Sequence, residues 1–398
     1  MNSPNLTRPR AVAPPDGHPE PGVPWHFGDP FAEQRAAARG AAVVDRSHRQ
    51  VLAVRGADRL SWLHLVISQH VTELPVGGGT EALVLDAKGR LEAHLVLGYA
   101  DGSDTAEPTV WLDADPGVRV TSALPKGGPQ SLPEYLDAMR FWSAVTITDA
   151  TDDRAVLSVL GPHAREVLTA AGLVAGTGAY ATVTSAGGRP PAPPDGSAGP
   201  GVSGDIIVRS MPWPGQGSVD LLVPRTELAA WFERLTDAGA KPAGSWAFDA
   251  LRAESLHPRL GVDTDDRAIP HEVNWIGSAA HVAKGCYRGQ ETVSKVYNVG
   301  RPPRRMVLLH LDGSPEVLPE TGDPVLLGER TVGRVGTVVQ HHELGPIALA
   351  LLKRSVPTDA ELLAGVEDRV VQAAVDPDSE PAEHVAAGRA TVDRFKDG

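Results

Sequence analysis

The sequence predicts an α+β fold: duplicated β-α-β-β units forming two lobes, then a small C-terminal β-barrel. Three observations predict it. First, "VLAVRGADRLSWL" (51–63) and "VLSVLGPHAREVL" (156–168) align without gaps at an offset of 105 residues. Second, each copy leads from a β-branched run through a glycine, Gly56 or Gly161, into an amphipathic stretch and then a hairpin. Third, from Met306 onward the pattern changes to short apolar runs separated by Gly, Pro and Asp turns, the spacing of a small barrel. A chain of 398 residues also exceeds the ~250–300 that one hydrophobic core serves.

In the first copy, Leu60, Leu63 and Ile67 recur at helical spacing, and "EALVLDAKGRLEAHLVLGY" reads as a hairpin turning at Lys88-Gly89. "TVWLD" follows as a strand, with a polar segment from Asp115. In the second copy, Val167, Leu168 and Leu173 mark a less regular helix, and "DIIVRSMPWPGQGSVDLLV" a second hairpin. "PRTELAAWFERLTDAG" then predicts a helix closed by Gly239, and "AGSWAFDALRAESLHP" one that runs to about Leu256 before Pro258. The expected organisation is a disordered arm over 1–24, lobes over 25–150 and 151–300, a barrel over 301–358 and a partly ordered acidic, alanine-rich tail over 359–398. The glycine- and proline-rich stretch 186–204 reads as a disordered loop.

Composition narrows the function classes. Apolar residues make up 41% and charged residues 22%, ordinary for a soluble globular chain, and no apolar run approaches a membrane span. The N-terminal residues lack a secretory h-region, and a single cysteine forms no internal disulfide, so a cytoplasmic location is expected. Net charge is −13, which disfavours nucleic acid and anionic membrane as partners. One stretch opposes the trend. Residues 284–305 hold Lys284, Arg288, Lys295, Arg301, Arg304 and Arg305 against Glu291, a local balance of +5 and a candidate landing surface for an anionic ligand.

That stretch begins with "AKGCYRGQET", which contains Cys286, the single cysteine. Lone cysteines are most often small core residues. Here the neighbours are polar and glycine-rich, a poor core environment. Lys284 and Arg288, two residues away on either side, would share its face on an extended segment and favour the thiolate. Gly285 and Gly289 would let the backbone turn or approach a ligand. No histidine stands at a spacing that marks it as the base of a cysteine nucleophile, and no ligand set for a metal is complete. Cys286 could supply one ligand of a cluster completed by a partner.

The run Lys284-Gly285-Cys286-Tyr287-Arg288-Gly289-Gln290-Glu291 resembles the signature of the YgfZ-type folate-binding proteins, a branch of the glycine-cleavage T-protein (GcvT) superfamily. The stretch from "AVVDRSHRQ" to "EAHLVL", "ALRAESLHPRLGVD" and "GRPPRRMVLLHL" are similar to other parts of that family. The resemblance implies a three-lobed ring around a central cavity that takes tetrahydrofolate, possibly polyglutamated. It also implies a role in assembling or repairing iron–sulfur clusters in client enzymes, tRNA-modifying ones among them, with Lys284 and Cys286 functional and a transient cluster conceivable.

The superfamily's other reaction is aminomethyl transfer from a lipoyl carrier to tetrahydrofolate. Where the T-protein carries its catalytic aspartate, this chain has Ala93 or His94. Gln216 and Phe248 fall where a folate-contacting glutamate and an arginine are expected. These departures speak for cluster maturation over aminomethyl transfer, with a non-catalytic folate-binding scaffold as a further alternative. Gln216, Phe248, Arg252 and Glu254 are the expected folate contacts. Gln216 would offer an amide to the pteridine edge, and Phe248 would offer a ring to stack or serve the core. Arg252 would reach the ligand or pair with Glu254 or another neighbour.

Overall fold

The computed structural model describes residues 2–102, 107–122, 127–186, 205–315 and 317–381. Helix α1 (Pro30–Arg39) starts at Asp29, whose Oδ1 accepts the Ala32 amide at 2.9 Å, with Pro30 in the first turn. Strands β1 (Ala42–Asp45) and β2 (Gln50–Arg55) lead to helix α2 (Arg59–Val66), then β3 (Gly79–Leu85), β4 (Leu91–Ala100) and β5 (Thr109–Ala114). A short pair, β6 (Arg119–Thr121) and β7 (Pro129–Ser131), precedes helix α3 (Leu132–Ala138) and β8 (Thr146–Asp149). The second copy runs β9 (Arg154–Leu160), α4 (Ala164–Ala170), β10 (Thr182–Ala186), β11 (Asp205–Ser210), β12 (Val219–Pro224), α5 (Leu228–Asp237), β13 (Lys241–Ala243) and α6 (Ser245–Glu254).

The sheets carry the duplication. One has the order β3-β4-β5-β2-β8 and the other β10-β11-β12-β9-β1-β13, so β3-β4-β5-β2 is repeated as β10-β11-β12-β9. Gly56 and Gly161 hold the same place at the strand-to-helix turn, and both have φ +107. A Cβ there would lie 2.1 Å from the Ala144 carbonyl oxygen at Gly56 and 2.3 Å from that of Ala37 at Gly161. Neither the dihedral nor the space admits a side chain.

Apolar faces close around these sheets. Helix α5 buries Leu228, Trp231, Phe232 and Leu235, which join Leu157, Val159, Leu168, Val208 and Leu221 in one core. Gly239, at φ +111, terminates the helix as its sequence predicts. A second apolar cluster takes Val51, Ala53 and Trp111 from the first copy and Val156, Ile207 and Leu222 from the second.

After α7 (Gln290–Val299) come β14 (Arg304–Leu311), β15 (Pro324–Leu327), β16 (Arg330–His341), β17 (Gly345–Lys353), β18 (Leu362–Ala364) and β19 (Val371–Val375). They form a closed barrel in the order β14-β17-β16-β15-β18-β19, with β14 pairing antiparallel to β19. Val307, Leu309, Val335, Ala350 and Leu352 fill its interior. The chain divides into two compact units, residues 1–63, 71–81 and 95–255 in one and 64–70, 82–94 and 256–398 in the other. No described helix is long and apolar enough to cross a membrane.

Two expectations are corrected. The arm over 1–24 is ordered: Ser3 Oγ and Asn5 Nδ2 donate to Asp45 Oδ2 at 2.5 and 2.6 Å, and Glu20 lies 3.3 Å from His48. Its prolines fix turns between these anchors. The segment after 358 is not merely a tail, because β18 and β19 complete the barrel, and Glu380 accepts from Arg305 at 2.6 Å. The loop expected over 186–204 lies outside the described residues except for Ala186, the last residue of β10.

Candidate functional site

The glycine-rich segment folds as a turn rather than a strand, because it is anchored at both ends. Upstream, the His281 amide donates to the Ser68 carbonyl, and Ser68 Oγ donates to the Ala279 carbonyl at 2.6 Å. Downstream, Gly289 at φ +81 caps α7, and a Cβ there would lie 2.5 Å from the Asp86 carbonyl oxygen in the β3–β4 turn. A Cβ at Gly89 in that turn would lie 2.8 Å from Thr292 Cβ, so the two segments interlock through glycines. Gln290 Nε2 donates back to the Lys284 carbonyl at 2.8 Å.

Lys284 is buried, and its ammonium does not serve the thiol as expected. It donates to the carbonyls of His64, in the last turn of α2, and of Ile67 and Gln69 just beyond it, the last two at 2.6 and 3.1 Å. A cation is favoured there by the orphan carbonyls and the helix dipole. The Nζ also lies 4.9 Å from the Tyr287 ring centroid. Burial pushes the Lys284 pKa down to about 8 and that of the Tyr287 phenol up to about 12. Lys284 as the electrostatic activator of Cys286 is therefore corrected: the charge is committed to a helix end. Arg288, the other flanking cation, points to Glu92 at 3.4 Å. Cys286 itself is exposed.

The basic run is mostly neutralised as well. Arg304 forms paired contacts to Asp265 and Glu272 at 2.6–3.1 Å, and Arg305 binds Glu380. Beside Lys284, the rings of His64, His70 and His281 form a chain, with centroids 4.7 and 5.6 Å apart. Burial, and then the Lys284 charge, lower the His64 pKa.

The four expected folate contacts differ in their surroundings. Gln216 is exposed on the β11–β12 turn, and Glu254 is exposed at the end of α6. Phe248 is a core residue: it packs with Trp213 and Leu251, and the Arg46 guanidinium sits 3.9 Å over its ring. Arg252 is buried and bonds Asp249 at 3.0 Å, the structural pairing with a neighbour.

The position opposite the T-protein aspartate has a definite environment. Ala93 is fully buried, and His94 on β4 lies flat on Trp275, with centroids 4.6 Å apart and planes 4° from parallel. His257 meets His94 edge-on at 5.4 Å and Trp275 at 6.1 Å. The buried Trp275 Nε1–H finds no acceptor among the described residues. The stack orients His94 and leaves an indole donor beside it.

A buried charge network lies outside the expected site residues. Asp113 on β5 accepts from Arg49 Nε and Arg209 Nη2, both at 2.5 Å. Arg209 also reaches Asp220 on β12 at 3.0 Å, and Ser158 Oγ donates to Asp220 at 2.6 Å. Burial alone would raise the Asp113 pKa, but Arg209 and Arg49 overcome it and hold the carboxyl below its usual range. Burial, and then Arg49, push Arg46 down to about 10. The legible signal was one aspartate inside the apolar run of each of two repeat-related strands, "VWLDA" and "VDLLV".

Residues 23–177 match the family model described as the GCVT N-terminal domain. The chain is 25% identical over 328 residues to a protein named Aminomethyltransferase from Symbiobacterium thermophilum, covering 79% of each. It is 24% identical over 357 residues to one of that name from Herpetosiphon aurantiacus, covering 89% of this chain and 90% of that one. The glycine cleavage system aminomethyltransferase T from Bartonella henselae has the same fold, with a TM-score of 0.75 at 18% identity over 96% of both chains. Together these findings support a relationship to the GcvT superfamily. They overturn the expected main function: relatives matching over 79–90% of both lengths carry the name Aminomethyltransferase, and nothing among them supports iron–sulfur maturation. The sequence reading gave too much weight to three positions. One of them, Phe248, reports on core packing, and another, Gln216, sits on an exposed turn.

Proposed function

We propose that this chain is a folate-dependent aminomethyltransferase, moving the carbon of a lipoyl-bound aminomethyl group to tetrahydrofolate while its nitrogen leaves as ammonia and its sulfur as the lipoyl thiol. The observation that carries this reading is the correspondence, over about four-fifths or more of both lengths, with relatives named Aminomethyltransferase. "KGCYRGQET" supports a YgfZ-type branch within the superfamily, and the single cysteine is consistent with a cytoplasmic setting.

In this reading His94 does the work of the missing aspartate. As the folate nitrogens bond to the carbon, its C–N and C–S bonds break, ammonia and the lipoyl thiol leave, and the His94 ring accepts a folate N–H proton and returns it to the leaving group. The Trp275 stack fixes the ring's orientation, and the indole N–H fits an acceptor on the bound substrate. Gln216, whose amide both donates and accepts, is the retained contact for the pteridine edge. Lys284 supports the scaffold by capping α2.

The test compares His94→Ala and Cys286→Ser in conversion of tetrahydrofolate with an aminomethylated lipoyl donor. His94→Ala is expected to lower kcat about 100-fold or more, His94→Asp to recover part of it, and Cys286→Ser to leave it near wild type. Full activity in His94→Ala would remove the assignment.

A further inference from the structure

A cleft of about 430 Å³ in the first compact unit carries charges of both signs beside an apolar wall. Arg10, Lys241, Asp29 and Glu33 line it, along with Phe27 and Pro242. That volume lies within the range of small-molecule sites.

Arg10 is placed by the backbone around it. It stands at φ +66, uncommon for a residue other than glycine, between the Ala11 amide's bond to the Arg8 carbonyl at 3.1 Å and the Val12–His26 bridge. Its guanidinium fills a notch that only a glycine leaves open, since a Cβ at Gly28 would lie 2.8 Å from both Arg10 Nε and Nη2. Asp29 is the next residue, so Arg10 and Asp29 border one part of the cleft, yet they form no ion pair with each other. On β13, the Lys241 amide donates to the Ala41 carbonyl at 2.9 Å. The side chains of Arg10 and Lys241 donate to no described residue.

The two carboxylates are used unequally. Glu33 is buried, and its oxygens accept the Phe27 and Gly244 amides at 2.6 and 3.0 Å. Asp29 is exposed: Oδ1 accepts the Ala32 amide at 2.9 Å, and Oδ2 accepts from no described residue. Burial, and in smaller part the Asp29 charge, raise the Glu33 pKa, so an added cation is favoured at this end of the cleft. Two unengaged cations and a half-used carboxylate beside an apolar wall suit a ligand that carries both charges on one carbon.

We propose that this cleft binds a free α-amino acid with an apolar side chain, its carboxylate held by Arg10 and Lys241 and its ammonium by Asp29. The proposal is independent of the aminomethyl-transfer reading, which uses none of these residues.

The experiment is calorimetric titration of the full chain at low ionic strength with L-leucine, with isocaproate, which lacks its ammonium, and with isoamylamine, which lacks its carboxylate. Leucine is expected to bind at one site at least about fivefold tighter than either analogue. Arg10→Gln and Lys241→Gln should each weaken leucine about fivefold and leave isoamylamine unchanged. Asp29→Asn, which keeps the cap on α1, should weaken leucine by a similar factor and leave isocaproate unchanged. Arg35→Gln, an exposed arginine of α1 outside the cleft lining, should change nothing. Thermal melts confirm that each variant is folded. No binding of leucine, equal binding of either singly charged analogue, or an equal loss in Arg35→Gln would overturn the proposal.

Discussion

The two copies of the repeat share a scaffold and differ in what they carry. Both enter their helix through a glycine at φ +107 whose Cβ position is taken by backbone, and both order their strands alike. Yet the β3–β4 hairpin brings His94 against Trp275 and interlocks its turn with Gly289, whereas the β11–β12 turn leaves Gln216 exposed. Duplication supplied the frame. The candidate chemistry lies where the copies diverge.

The sharpest way to break the comparison is through the charge network that the repeat-related strands share. Asp113→Asn leaves Arg49 and Arg209 without their common carboxylate, and a loss of about 3–5 kcal/mol is expected in urea unfolding. Because the folded carboxyl titrates below its unfolded value, its stabilisation is complete above about pH 4 and is lost as pH falls below that. Wild type should therefore lose stability below about pH 4 more steeply than Asp113→Asn. Parallel acid profiles would contradict the assignment.

Next come the paired glycines. Gly56→Ala and Gly161→Ala should each cost about 2–4 kcal/mol and agree within about 1 kcal/mol, since dihedral and clash are alike. A neutral effect at either would dissolve the equivalence. Lys284→Met removes the donor to three carbonyls at the C-terminal end of α2, with an expected loss of about 1–3 kcal/mol in thermal melts. In wild type, the Lys284 Cε resonance should titrate near pH 8. Between that value and about 10.4 the unfolded chain holds the extra proton, so this group's contribution to stability rises with pH. A midpoint near 10 would show the ammonium to be solvated. The smallest effect is expected from Gln216→Ala, within about 0.5 kcal/mol of wild type, because an exposed turn side chain packs on nothing.

Local pattern carried much of the fold. "VLAVRG" and "VLSVLG", the turn at Lys88-Gly89, Gly239 and the barrel strands from Met306 were all legible, because period and turn chemistry act over a few residues. Long-range satisfaction was not. Ser3 and Asn5 order the N-terminal arm only through Asp45, and the acidic tail yields β18 and β19 only because a barrel needs closing. The same blindness affected the site. Lys284 stands two residues from Cys286 in sequence, but its nearest acceptors are more than 200 residues away at the end of α2. Spacing suggested a pair where the fold made a helix cap. His94 was noticed only as a departure, and its stack on Trp275 depends on a contact that periodicity does not encode.

Single-turnover conversion of tetrahydrofolate by the purified chain, supplied with an aminomethylated lipoyl carrier, tests the central claim most directly. The account predicts methylene-tetrahydrofolate and ammonia in equal amounts, at a rate about 100-fold lower in His94→Ala. No folate product, with tetrahydrofolate bound but unchanged, would contradict it.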